Sequence, residues 1–196
     1  MSSKPTKVEL AGRAMSSSFG FASGLTIWMA SNFAPDWFAD ALHEAHNGTD
    51  HNARRREILF AVCCAESYIV EWVRDEVLNR DFERLDLFFP PGRKRGVTAK
   101  WEEVPKELAK AKLIPAKPDH SGKCWGDWLK LVDLRDGLVH ARSSRPKKKA
   151  GTEETFTPKA DLDRLAAGWA VRVVVELVCN LHAAAGKPPP AWIKEP

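Results

Sequence analysis

The stretch from Asp50 to Arg80 constrains the fold more than any other part of this chain. Leu59, Val62, Glu66, Ile69, Val73 and Val77 recur at intervals of three and four, the spacing that lines one face of an α-helix. Asp50 stands where a side-chain acceptor would cap the first turn. A helix of about thirty residues is about 45 Å long and cannot bury its apolar face alone, so other helices must pack along it. No period-2 strand runs, internal repeat or GxxxxGK phosphate loop are found. The expected fold class is all-α.

The rest of the chain divides around that helix. Residues 1–14 read as a flexible polar tail, and 15–50 as an N-terminal helical segment packed on a bundle. Within that segment, Phe19–Phe33 reads as a helix or packed arm. A helix follows from Pro35, a residue suited to a first turn, to His46, and Asn47-Gly48 stops it. The bundle proper covers 51–186. After the long helix, Phe82–Phe89 forms its end or exit, and Pro90-Pro91-Gly92 breaks the chain. A short helix is expected from Pro105 to Leu113, before Pro115 and Pro118. Another runs from Lys123 to Ala141. The last begins with Thr157 as N-cap and Pro158, points Leu162, Leu165, Trp169, Val173, Leu177 and Leu181 inward, and ends at Gly186. Residues 187–196 read as a Pro-rich tail.

Charge is unevenly spread. The net value is only +4, yet Gly92–Ala150 holds 16 Lys+Arg against 7 Asp+Glu, leaving 14 against 19 elsewhere. A basic middle on an acidic remainder fits a localised polyanion footprint, or else a pair of solvated lysine-rich loops. Cys63, Cys64, Cys124 and Cys179 have neither disulfide-framework nor zinc spacing, which points to free thiols in a reducing compartment. Ala14–Pro35 carries no charge, but its serines, glycines and Asn32 break the apolar runs too often to span a bilayer. A cytoplasmic protein is the expectation.

The chemistry concentrates in Leu134-Arg135-Asp136-Gly137-Leu138-Val139-His140. Five residues along a helix turn through about 140°, so Arg135 and His140 lie on neighbouring strips rather than one above the other. Asp133, Asp136, Gly137 and His140 share a strip, and a long arginine can reach round to it. Cleaving RNA without a metal needs a base for the 2′-hydroxyl proton, an acid for the leaving oxygen and a cation for the phosphate. Imidazole titrates near neutrality and guanidinium binds phosphate with two parallel hydrogen bonds. The alternative from spacing is an Arg135–Asp136 ion pair with His140 stabilised at a helix end.

The segment LRDGLVHARSSRP, on a late helix of an all-α chain, resembles the HEPN superfamily, marked by an Arg-x4–6-His motif with a polar residue after the arginine. REILFAVCCAESYIVEWV resembles the long helix that packs on the motif helix in that family. The likeness covers roughly residues 56–185. It implies a four- to five-helix bundle acting as a homodimer, with a composite, metal-independent endoribonuclease site that leaves 2′,3′-cyclic phosphate and 5′-hydroxyl ends. It implies no cofactor and no metal. By position, His140 would move protons, Arg135 would bind phosphate and Asp136 would support them. Such proteins include toxin and antiviral-defence effectors, with an antitoxin or regulatory partner; others are inactive modules that bind RNA or a protein.

Three further groups complete the reading. Glu66, an acid on an apolar face, would pair with Arg135 or orient His140, or reach water at the bundle end. Arg93, Lys94, Arg95, Arg142, Arg145, Lys147, Lys148 and Lys149 would contact RNA phosphates. His43, His46, Asp50 and His51 match no metal-ligand spacing and read as surface residues. Tyr68 and Trp72 read as packing, and Cys64 as a buried thiol.

Overall fold

The long helix forms as its cap predicts: Asp50 Oδ1 accepts from the Ala53 amide at 2.6 Å. In the computed structural model, which describes residues 20–22, 25–27, 32–90, 95–139, 162 and 164–193, this helix is α2, His51–Trp72. It follows α1, Ala34–Asn47, and continues as one π-helical turn, Val73–Val77. Asn79 and Arg80 adopt left-handed φ values of 51° and 64°, which turn the chain into α3, Phe82–Phe88, capped by Asp81. Then come α4, Val97–Lys110; α5, Lys123–Val139; and α6, Trp169–Ala185.

α1 presents Ala34, Phe38, Ala41 and Ala45 as a narrow buried stripe, and the small alanines let it lie close against α2. Trp37 stacks on Phe60 across the seam at 5.7 Å. The tight reversal between α1 and α2 explains Gly48. Its φ of −84° suits any residue, but a β-carbon there would overlap the Ala53 side chain and the Glu44 carbonyl.

α2 is the spine, with α1, α4, α5 and α6 packed around it. Ile58, Ala61, Val62, Ala65, Ile69 and Trp72 are buried on it, so the core stripe is rotated slightly from the expected one. Glu66 falls at its margin, with a side chain 42% exposed. α6 contributes Val171, Val173, Val174 and Val175, all buried. A β-branched run is a mediocre helix former in isolation, so burial on more than one side stabilises it. Trp101 of α4 and Trp128 of α5 meet at 6.1 Å, and the Trp101 indole N–H donates to the Ala65 carbonyl.

Several boundaries differ from expectation. α4 starts at Val97, not Pro105, and runs through that proline, whose ring is buried. The missing N–H removes one helical bond, which burial offsets. The final helix starts at Trp169, because Gly168, with φ 73°, cannot be helical. Thr157 and Pro158 lie outside the described residues, as do residues 1–14. Within 15–33, Gly20–Ala22 (β1) and Leu25–Ile27 (β2) pair antiparallel, Phe21 opposite Thr26, where a helix or packed arm was expected. The sequence signal is Ser23-Gly24, a turn-forming dipeptide. All other described elements are helices, so the fold is an all-α bundle carrying this small ladder. Among the described residues, no helix is long and apolar enough to cross a membrane.

Candidate functional site

Arg135 sits on α5, whose inward side is set by Trp128, Leu131, Val132 and Leu134. Gly126, Leu129, Lys130 and Asp133 face out. Asp136 and Gly137 are half-buried, on the outer half of the helix. Arg135 occupies the other side, toward α2, close enough to Cys63 for its charge to act on that thiol. Its side chain curls back so that Nε is 3.2 Å from Asp136 Oδ1. The N–H does not aim at that oxygen, so Nε is buried without a hydrogen bond among the described residues.

Arg95 Nε shares that state, but Arg95 bonds through its other two nitrogens, and Arg135 does not. Four described arginines are not exposed: Arg54, Arg74, Arg95 and Arg135. Arg54 bonds Glu57 at 2.9 Å, Arg74 bonds both Asp75 oxygens and Asn32, and Arg95 bonds both Glu107 oxygens at 2.9 and 3.1 Å. Among the described residues, Arg135 makes no directed bond and holds only the neighbouring ion pair. A guanidinium half-sheltered from water with unspent donors is suited to take a phosphate or carboxylate with two parallel bonds.

Glu66 does not pair with Arg135. Its Oε1 accepts from Lys100 Nζ of α4 at 2.7 Å. Cys63 lies within electrostatic reach of both, and burial, then the Glu66 charge, push its thiol above the ordinary value, with Arg135 opposing. Thus Arg135 and Lys100 bring two cations, with Glu66 and Asp136, to the junction of α2, α4 and α5. Sequence reasoning missed Lys100; its signal is its place four residues after Gly96 on a helix not expected to start so early.

Arg95 departs from its expected phosphate-binding role. Its side chain is 6% exposed and is engaged by Glu107 and Glu103, so it ties the start of α4 to that helix's own third turn. His140, Arg93, Lys94, Arg142, Arg145, Lys147, Lys148 and Lys149 lie outside the described residues. Tyr68 and Trp72 are both buried, in line with packing. His43 is bonded by the Asn47 side chain at 3.2 Å. Among the described residues, no three His, Cys, Asp or Glu side chains are grouped to hold a metal ion. Burial pushes the Cys64 thiol far up and Cys124 up to about 11, so neither is nucleophilic at neutral pH.

No protein-family model, curated protein or solved structure matches this chain.

Proposed function

We propose that this chain is a metal-independent endoribonuclease of the HEPN type, with a site completed by a second copy. In this reading His140 takes the proton from the ribose 2′-hydroxyl and its oxygen attacks the adjacent phosphorus. The 5′-oxygen leaves with a proton from the second copy's histidine, giving a cyclic phosphate and a 5′-hydroxyl. Arg135 binds the non-bridging phosphate oxygens as their charge grows. Asp136 holds the guanidinium in place until phosphate arrives. The basic run from Arg142 to Lys149 follows the motif directly and would hold the RNA backbone. The observation that carries the reading is Arg135 itself, half-sheltered and without a directed bond among the described residues, where Arg54, Arg74 and Arg95 each hydrogen-bond a carboxylate.

The test is incubation of defined RNAs with the wild type, Arg135→Ala and His140→Ala in EDTA. Cleavage to cyclic-phosphate ends that either substitution abolishes is the expected result; cleavage indifferent to both removes the reading. RNA binding without cleavage in any variant instead marks a non-catalytic module. Growth arrest on expressing the wild type, relieved by His140→Ala, would extend the reading to a toxin or defence effector.

A further inference from the structure

Pro115 and Pro118 keep the segment between α4 and α5 from continuing either helix, and hydrogen bonds fix it instead. The Ala116 amide donates to the Ala184 carbonyl of α6 at 3.2 Å, and Asn180 Nδ2 of α6 donates to the Asp119 carbonyl at 2.9 Å. Asp119 Oδ1 accepts from the Ser121 amide and hydroxyl at 2.8 and 2.7 Å, which turns the chain into α5. His120 is thereby held against Trp125, with ring centroids 4.0 Å apart and planes inclined by 24°. It is the closest ring pair among the described residues.

The stack is not closed over, since both rings are only half-buried. Burial, then the Lys106 charge, hold the His120 imidazole below its ordinary value, with Glu102 opposing, so near neutral pH it is an uncharged aromatic ring. Lys106 is bonded to Glu102 at 2.8 Å, but Lys117 and Lys110, one turn further along α4, are exposed and hold no ion pair among the described residues. From the stack a strip runs along α5. Trp125, Leu129, Val132 and Asp136 follow at intervals of four, three and four, on one side of the helix. Leu129 is 41% exposed, a large apolar side chain left uncovered. Asp136, at the far end, is the partner of Arg135 and lies about 16 Å from Trp125 along the helix axis.

We propose that the His120–Trp125 stack is a base-binding platform for single-stranded RNA, a few nucleotides from the phosphate held at Arg135. The proposal rests on the endoribonuclease reading for the choice of RNA and for the place of the scissile bond. A nucleobase laid on the stack continues it, a contact that any base makes through its π-face. Leu129 gives the neighbouring sugar or base apolar surface on the way to Asp136. Lys110 and Lys117 reach the phosphates from the α4 side, whereas the opposite side of the strip carries exposed Asp133. A flat ring pair fixed beside unpaired lysines matches a base between phosphates, where a protein partner or a second copy would call for a broader apolar face. Paired bases hide their faces within a duplex, so the platform selects unpaired strands.

The test compares two labelled probes, a single-stranded RNA and the same sugar-phosphate strand without bases, bound to the full chain carrying His140→Ala so that the strand stays intact. The base-bearing strand should bind more tightly. Adding His120→Ala should weaken it about tenfold while barely changing the baseless strand, and His120→Phe should restore it. Equal loss on both strands, or no loss on either, would overturn the proposal. Self-association lost in His120→Ala or Leu129→Ser, with binding of both strands unchanged, would give the strip to a second copy and overturn it too. If His120→Ala does not fold, the starting protein decides, and equal affinity for the two strands sinks the platform. Cleavage separates the two readings: RNA cut by the wild type without any base-dependent binding removes the platform alone. Base-dependent binding lost in His120→Ala, with no cleavage by the wild type, upholds the platform and removes the nuclease.

Discussion

Glu57 and Glu71, about four turns apart on one side of α2, each close the N-terminus of a different helix. Glu57 is 2% exposed and accepts from the Gly168 and Ala170 amides at 3.3 and 3.0 Å, at the start of α6. Glu71 accepts from Phe33 and Ala34 at 2.6 and 3.3 Å, at the start of α1. The first amides of a helix have no partners within it and carry partial positive charge, so a buried carboxylate there is both hydrogen-bonded and electrostatically favoured. The spine thus fixes where two neighbouring helices begin.

Removing one of these caps should be costly. Glu57→Ala strands two buried amides and removes the Arg54 ion pair, leaving Arg54 only the Gly48 carbonyl, and should destabilise the fold by about 2–4 kcal/mol. A urea titration checks this; a loss within about 0.5 kcal/mol would show that water replaces the carboxylate.

Glu71 should give a pH signature. Burial, the strongest influence, raises its carboxyl above the ordinary value, although the Phe33 and Ala34 amides and Arg74 pull it down. With the folded value above the unfolded one, its contribution is full below about pH 4.5 and is lost as pH rises through the folded value. Relative to wild type, Glu71→Gln should therefore gain stability between pH 4.5 and 7. A constant difference across that range would contradict it.

Arg135→Ala should separate stability from activity. Because its guanidinium makes no directed bond among the described residues, the unfolding midpoint should shift by less than about 1 kcal/mol equivalent. On the endoribonuclease reading, cleavage should fall by about a hundredfold or more. A large stability loss with no activity to lose would mark the Arg135–Asp136 pair as structural.

Gly48→Ala tests the α1–α2 reversal. With an ordinary φ, the substitution should stiffen the unfolded chain harmlessly, yet the new methyl has no room beside Ala53 and Glu44. A loss of about 1–3 kcal/mol is expected from overpacking. A more stable Gly48→Ala variant would mean that the two helices can part without penalty.

Much of the architecture was legible because single residues announce it. Asp50 marks the start of α2, Pro35 the first turn of α1, and Gly186 the end of α6. Pro105 misled because its usual place is a first turn, and nothing local shows that its ring would be buried mid-helix. Glu66 drew attention by standing in an apolar run, while the acids that are truly buried, Glu57 and Glu71, were overlooked. Their partners are main-chain amides far along the chain, which leave no residue pattern. The buried hydrogen bond between Tyr68 and His182 was hidden for the same reason. At the candidate site, Arg135 and Asp136 were legible as neighbours, but Lys100 beside Glu66 depends on how α4 lies on α2.

The separation between Glu57 and its amides also orders events in time. Ala170 lies 113 residues further along the chain and His182 lies 114 beyond Tyr68, whereas α1 and α2 adjoin across Gly48, Thr49 and Asp50. Closing the long loop costs chain entropy before any contact offsets it, while the α1–α2 hairpin forms from near neighbours. Substitutions in the hairpin, such as Ala41→Gly, should therefore slow refolding, and those in α6, such as Val174→Ala, should mainly hasten unfolding. Stopped-flow rates for the two variants would show it, and the reverse pattern would place α6 in the nucleus. Until α6 docks, Glu57 and Tyr68 remain in water, and the spine waits half-dressed for a partner more than a hundred residues away.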